Sequence, residues 1–245
     1  MMKDCLMTVA ENVPLTKEVY RMVLEGDVSA FTAPGQFLNL RLEGQFLRRP
    51  ISLCDLGEDS ATIIYKVVGK GTAQMASKLP GEKLSVLTGL GNGYDLTDAG
   101  EAPLLIGGGV GVPPLYLLAK RLRAAGKAVH AVLGFNRASE IFYEEEFRAL
   151  GCTVTVATAD GSYGVRGFVT DALPEAYSYY YCCGPEPMLR AVYRAAKGSG
   201  QLSFEKRMGC GFGACMGCSC RTITGYKRIC KEGPVLRKEE IAWED

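Results

Sequence analysis

The sequence predicts a β-barrel, then an α/β parallel-sheet domain, then a small cysteine-rich C-terminal module. Three observations carry that expectation. Up to about residue 98, short apolar runs alternate or are β-branched, with turn residues between them. From about residue 100, strand-like runs alternate with helical ones, and a glycine-rich turn joins the first pair. Beyond residue 203 the chain is rich in Gly and Cys, and five of its ten cysteines fall between 210 and 230.

In the first region the runs 37–42, 61–68 and 83–88 read as strands, bounded by Ala33-Pro34-Gly35 and Pro80-Gly81. Many short strands close most simply into a barrel. Residues 71–79 suit one helix, through Thr72, Ala73, Met75 and Ala76. In the second region 103–106 is a short buried strand that runs through 107–111 into an amphipathic helix over 113–125. Strands follow at 127–134, 152–157 and 177–183, and helices at 143–150, 169–173 and 187–197. Such alternation predicts a parallel sheet covered on both faces. The expected divisions are 1–98, 99–200 and 201–245.

Composition narrows the function class. Hydrophobic residues make up 47% of the 245 and charged residues 22%, enough to bury a core without disulfides. A net charge of +1 gives nucleic acid or an anionic membrane no electrostatic reason to bind. No apolar run reaches the length of a membrane span. The start MMKDCLMTVAENVPL carries acids and has no long apolar stretch, so a cytoplasmic location is expected.

Without an export signal, clustered cysteines predict a metal or cluster site. Cys210, Cys215 and Cys218 stand in C-x4-C-x2-C spacing, and Cys230 follows after eleven residues. That is the plant-type [2Fe–2S] ligand pattern. Gly211, Gly213, Ala214 and Gly217 let the loop bring backbone N–H groups close to anionic sulfur. A structural zinc site, the bland alternative, usually has two C-x2–4-C knuckles. Cys220 reads as a neighbouring non-ligand. Cys5, Cys54, Cys152, Cys182 and Cys183 read by default as inert thiols in or beside strands.

Two weaker signals lie in the barrel. Arg48 and Arg49 precede Pro50, Ile51 and Ser52 in an extended segment, where alternate side chains share a face, so at most one arginine reaches a given phosphate; a solvated turn explains the pair equally well. Gly69-Lys70-Gly71-Thr72 opens the helix and offers backbone N–H groups to phosphate; the alternative is an ordinary glycine turn with Thr72 near the N-cap. In the second region Gly107, Gly108, Gly109 and Gly111 form a strand-to-helix turn. It departs from G-x-G-x-x-G because Pro114 replaces the third glycine. Cys183-Gly184-Pro185 and the loop carrying Asp160 end two further strands on what is expected to be the same sheet edge.

In this order, the strings RRPIS, GKGT, GNGYDL, GGGVGVPPL, DGSYG, CGPEPM and CGFGACMGC resemble the ferredoxin–NADP reductase superfamily. Within it the chain is most similar to the electron-transfer subunits of class 1B dihydroorotate dehydrogenase, over nearly its whole length. The interval between Cys218 and Cys230 looks shorter than in that family. The resemblance implies FAD, with Arg49, Pro50, Ile51 and Ser52 holding its pyrophosphate and flanking its ring. Ile64, Tyr65 and Lys66 would form the adjoining strand, and Gly71 and Thr72 would hold phosphate. Cys210, Cys215, Cys218 and Cys230 would ligate a [2Fe–2S] cluster, and the sheet edge would take NAD. Ser52 and Cys183 are the candidate catalytic residues. The implied partner is an FMN-containing catalytic subunit, two copies of each making a heterotetramer. The implied path runs from dihydroorotate through FMN, cluster and FAD to NAD+, in pyrimidine biosynthesis. His130, the one histidine, reads as structural. The alternatives are a reductase subunit of a ferredoxin:NADP oxidoreductase or a hydrogenase complex, or a non-catalytic redox sensor or assembly factor.

Overall fold

A computed structural model describes residues 2–243. Six strands close a barrel in the order β1-β2-β5-β4-β3-β6. They are β1 (Lys3–Pro14), β2 (Val19–Glu25), β3 (Phe37–Leu40), β4 (Arg49–Leu56), β5 (Ser60–Lys66) and β6 (Lys83–Leu90), with helix α1 (Lys70–Ala76) between the last two. Closure leaves no open edge for another chain to add to. Period-2 alternation sorts the side chains. Ile63 and Tyr65 point into the barrel core with Met7, Met22 and Leu53, while Ile64 points outward.

The second unit contains β7 (Leu104–Gly108), α2 (Pro113–Ala124), β8 (His130–Phe135), α3 (Glu144–Ala149), β9 (Thr153–Thr158) and β10 (Val165–Arg166). It continues with β11 (Tyr180–Cys183), α4 (Glu186–Ala195) and β12 (Gly200–Ser203). The C-terminal segment adds a hairpin of β13 (Ser219–Thr222) and β14 (Gly225–Arg228), and then β15 (Val235–Arg237). One sheet runs β10-β9-β8-β7-β11-β12-β15, parallel except for the antiparallel β15.

Several expected elements come out shorter. The helix expected at 71–79 is Lys70–Ala76, and its last carbonyls bond Ser77 and Lys78. The strand expected from 177 begins at Tyr180, and the Tyr177 hydroxyl accepts from the Lys197 N–H at 2.6 Å. The helix expected at 169–173 is a single 3-10 turn, Val169–Ala172. The division drawn at residue 200 falls inside β12, and β15 returns from the cysteine-rich segment to the same sheet. His130 lies in β8 with Nε2 2.9 Å from Thr155 Oγ1, and burial lowers its pKa.

Three apolar clusters hold these parts together. One fills the barrel. A second lies in the seam where Val19, Cys54 and Ile64 of the barrel meet Val112, Leu115 and Leu118 beside and on α2. Lys120 adds an ion pair across that seam, 2.9 Å from Asp55 of β4. A third joins the other face of the sheet to the C-terminal segment, through Leu202, Phe204, Cys218, Ile229 and Cys230. The cysteine-rich segment is thus packed against the sheet and not tethered beside it.

Candidate functional site

Strand order fixes where a dinucleotide can bind. The chain runs from β7 outward through β8 to β9 on one side, then crosses back to β11 on the other. The carboxyl ends of β7 and β11 therefore flank a topological switch point, the usual crevice of open α/β sheets. Gly107 pairs with Cys183 across it. The glycines are needed for close approach. A Cβ on Gly111 would lie 2.2 Å from the Cys183 carbonyl oxygen, and one on Gly108 would lie 2.3 Å from the Met188 sulfur. Gly109 has φ +52°, in the left-handed region. The turn following β7 thus rests directly on the loop Cys183-Gly184-Pro185, with Met188 filling beneath both. Burial pushes the Cys183 thiol up to about 12, so it is neutral at ordinary pH.

Asp160 stands farther along the same edge, at the end of β9. Its carboxylate accepts from the Ser162 hydroxyl at 2.6 Å and the Ser162 N–H at 2.9 Å, and the hydroxyl contact leads the effects that lower its pKa. Arg137, at the end of β8, lies 3.2 Å from Glu140. Acidic neighbours on both sides make this corner a poor place for a 2′-phosphate.

The barrel brings the two phosphate signals together. Arg49, at the start of β4, lays its guanidinium over Gly71, where a Cβ would lie 2.1 Å from Arg49 Nε. Gln45 and the Leu47 carbonyl hold the guanidinium there. Arg48 turns the other way, donating to Asn39 O at 3.2 Å and Ser85 O at 3.1 Å, as alternation requires. The Thr72 hydroxyl is occupied locally: it accepts from Val68 N–H and Gly69 N–H and donates to Gly69 O. It shapes the turn, leaving backbone N–H groups to meet a phosphate. Pro50, Ile51 and Ser52 pair with Asn39, Leu38 and Phe37 of β3. Of the adjoining strand, Ile64 faces the seam and Lys66 pairs with Glu18 at 3.1 Å. Tyr65 is buried and donates to Asn12 at 2.8 Å, so its side chain serves the barrel interior.

The four cysteines expected as ligands fall into two pairs. Cys210 N–H and Cys215 N–H each point at the other's sulfur, at 3.4 Å, and Ala214 N–H points at Cys210 Sγ at 3.2 Å. Cys230 N–H points at Cys218 Sγ, also at 3.4 Å. Cys218 and Cys230 are buried while Cys215 is exposed. Pairing suits two irons with two thiolates each better than one tetrahedral zinc. Burial raises the Cys210 pKa, but the N–H groups of Cys215, Phe212 and Ala214 outweigh it and bring the thiol down to about 6. Burial and the neighbouring Cys218 push Cys230 up to about 12, a penalty that a bound cation reverses. Gly211, Gly213 and Met216 adopt positive φ to wrap the loop.

Sequence reading passes over Asn39, Arg228 and Glu232. Asn39 Nδ2 donates to the Cys210 carbonyl at 3.3 Å, tying the cysteine loop to β3. Its Oδ1 is buried and has no partner among the described residues. A buried amide so left points to a group that completes the site. Arg228 donates to Gly213 O at 2.7 Å and pairs with Glu232. The one available signal is opposite charge at i and i+4 around Cys230.

Barrel, dinucleotide crevice and cysteine loop define the class: a flavin- and nicotinamide-linked oxidoreductase component with its own iron–sulfur module. Residues 205–242 match the iron–sulfur cluster binding domain of dihydroorotate dehydrogenase B, and residues 105–194 match an oxidoreductase NAD-binding domain. The electron-transfer subunit of dihydroorotate dehydrogenase B (NAD+) from Geobacillus sp. (strain WCH70) is 44% identical, with 98% of this chain and 99% of that one aligned. The same subunit from Bacillus caldolyticus is 46% identical over 96% of this chain and 97% of its own. A solved structure of an NADH-dependent reduced ferredoxin–NADP oxidoreductase aligns with TM-score 0.88 and 30% identity, over 98% of this chain and 90% of that one. The chain belongs to the family of dihydroorotate dehydrogenase B electron-transfer subunits. It is an oxidoreductase subunit, and its cofactors are FAD, a [2Fe–2S] cluster and exchangeable NAD. No helix among the described residues is long and apolar enough to cross a membrane.

Proposed function

We propose that the chain carries electrons between the dihydroorotate-oxidising catalytic subunit and NAD+, by way of the [2Fe–2S] cluster and FAD. One observation supports that order above the rest. The barrel touches the other two parts at once: β5 packs against the Gly109–Gly111 turn, and Asn39 of β3 bonds the Cys210 carbonyl. A flavin held on the barrel exchanges hydride with a nicotinamide and single electrons with a cluster. On this reading Arg49, with the backbone of Gly71 and Thr72, holds the pyrophosphate. Pro50, Ile51 and Ser52, with Ile64 and Lys66, line the ring, and Tyr65 supports that strand from inside the barrel. The turn Gly107, Gly108, Gly109 and Gly111, with Gly184 and Pro185, holds the nicotinamide half, while Asp160 edges the adenosine end. Ser52 and Cys183 face the reacting rings, Cys183 as a neutral thiol that excludes water. The barrel, the sheet domain and the cysteine-rich segment are the three working parts, with β12 and β15 locking the third to the second. The complex is a cytoplasmic heterotetramer, two of these chains with two FMN-containing subunits.

The test is reconstitution. Alone, the chain is expected to reduce artificial acceptors with NADH and to leave dihydroorotate untouched. Adding the catalytic subunit should restore dihydroorotate-dependent NAD+ reduction. Turnover of dihydroorotate by the isolated chain would refute the division of labour. The likeness to the ferredoxin–NADP oxidoreductase structure supports a second reading, a ferredoxin-linked reductase subunit. Inertness with the catalytic subunit, together with NADH-dependent ferredoxin reduction, would favour it.

A smaller experiment addresses the flavin. Arg49→Gln removes one charged donor, a contact of about 1.5–3 kcal/mol. FAD affinity, read by fluorescence titration of deflavinated protein, is expected to fall roughly 10- to 100-fold. Affinity within twofold of the parent would take Arg49 out of the site.

A further inference from the structure

Arg228 and Glu232 form a charge pair built onto the cysteine loop. Arg228 ends β14 opposite Ser219, the neighbour of Cys218, and lies two residues before Cys230. Its Nη1 donates to the carbonyl of Gly213, between Cys210 and Cys215, at 2.7 Å. The guanidinium thus reaches the Cys210–Cys215 segment, while the Arg228 backbone adjoins Cys218 through Ser219 and Cys230 along the chain. Glu232 meets it with both oxygens: Nε lies 3.1 and 2.9 Å from them, Nη2 also bonds Oε1, and the Arg228 N–H donates to Oε2 at 2.7 Å. The turn is closed by Lys231 N–H and Glu232 N–H, both bonded to the Arg228 carbonyl. The Arg228 side chain is 24% exposed and that of Glu232 34%, so water screens the pair only in part. The Lys231 stem packs on Gly213 as well, but no carboxylate is bonded to its ammonium among the described residues.

Nothing in this arrangement is required merely to close a hairpin, because the β13–β14 ladder does that without side chains. What the pair adds is a cation and an anion fixed beside a group that gains negative charge on reduction. A cluster's potential follows the charge and the hydrogen bonds around it. We propose that Arg228 and Glu232 are opposed tuning residues for the cluster: Arg228 favours its reduced state and Glu232 restrains that effect. This rests on the cluster reading above. It makes the two residues positioning groups that set the driving force between flavin and cluster, although neither touches a substrate.

The experiment is a dye-coupled redox titration of the purified flavoprotein, followed by electron paramagnetic resonance of the reduced cluster. Iron and labile sulfide are measured on the same samples. Arg228→Gln should move the cluster midpoint to more negative potential, and Glu232→Gln to more positive, each changing the reduction equilibrium roughly tenfold or more. The double variant R228Q/E232Q should return close to the parent. Glu232→Gln is nearly isosteric and keeps an acceptor for the Arg228 N–H, so it remains informative if Arg228→Gln loses its cluster. Shifts of the same sign in the two single variants, or a Glu232→Gln midpoint equal to the parent's at full iron content, would overturn the proposal. Absence of iron and sulfide from the parent would instead remove the cluster reading beneath it.

Discussion

Replacing Gly111 by valine is expected to abolish NADH oxidation, by at least about 100-fold, while the flavin stays bound. The side chain has no space to enter. Its Cβ would lie 2.2 Å from the Cys183 carbonyl oxygen, 2.5 Å from the carbonyl carbon and 2.6 Å from Gly184 N. All three are backbone atoms, so no rotamer change relieves the clash. Both partners are also pinned, since β7 and β11 pair from Leu104–Tyr180 to Gly107–Cys183. The carboxyl ends of the two strands must therefore separate, and the crevice between them is the nicotinamide site proposed above. Overpacking of this kind costs about 1–3 kcal/mol in stability, within what a domain of this size tolerates. The larger loss is geometric, because hydride transfer between a nicotinamide carbon and a flavin nitrogen tolerates little misplacement, about 100-fold being lost for about 1 Å. Gly126→Ala, in the loop after α2 and outside the proposed site, is the control. No atom lies within 4 Å of the place its methyl group would take, so it meets only the left-handed strain of φ +77°, about 1–2 kcal/mol. Steady-state reduction of ferricyanide by NADH reads both variants, and the flavin spectrum shows that the barrel is intact. NADH turnover by the Gly111 variant within a few-fold of the parent would mean that the nicotinamide lies elsewhere.

What the sequence revealed, and what it hid, follows from the range of each signal. The cysteine spacing was legible because three ligands lie within nine consecutive residues and their roles depend on local wrapping. The barrel and sheet were legible because periods of 2 and 3.6 write themselves into the chain. β12 and β15 were hidden: they are four and three residues long, and β15 joins the sheet only through partners at 201–203. Hence the boundary drawn at 200 cut through a strand. Of the barrel signals, Arg49 and Gly71 are each weak in sequence, and only closure of the barrel lays one over the other. Tyr65, which the resemblance assigns to the strand adjoining the flavin, lies in β5 with its ring turned inward to Asn12 by alternation. Asn39 left no trace and Arg228 only an i, i+4 charge pair with Glu232, since their meaning lies in contacts with Cys210 and Gly213 that no local pattern encodes.

The two cysteine pairs are expected to respond differently to loss of one thiol. Cys218→Ser should leave almost no iron or labile sulfide, whereas Cys215→Ser should retain a reduced amount in an altered, more labile cluster. The difference is solvent. Cys218 is 3% exposed and packs in the apolar cluster with Ile229, Phe204 and Leu202, so no water can take the vacated coordination position. A serine there also buries a hydroxyl among apolar side chains, at about 1–3 kcal/mol unless it finds a partner. Cys215 is exposed, on a loop already shaped by the positive φ of Gly213 and Met216. Serine oxygen or water can reach an iron from that side, although oxygen is a poorer donor than thiolate to this cluster. The same asymmetry turns the Cys210–Cys215 pair toward solvent beside the exposed Phe212 and Met216, the natural side for a partner to approach. Iron and sulfide analysis, with the visible spectrum of each purified variant, decides the matter. Equal cluster content in the two variants would show that burial does not govern ligand exchange here. Greater retention in Cys218→Ser would reverse the expected order of the buried and exposed pairs.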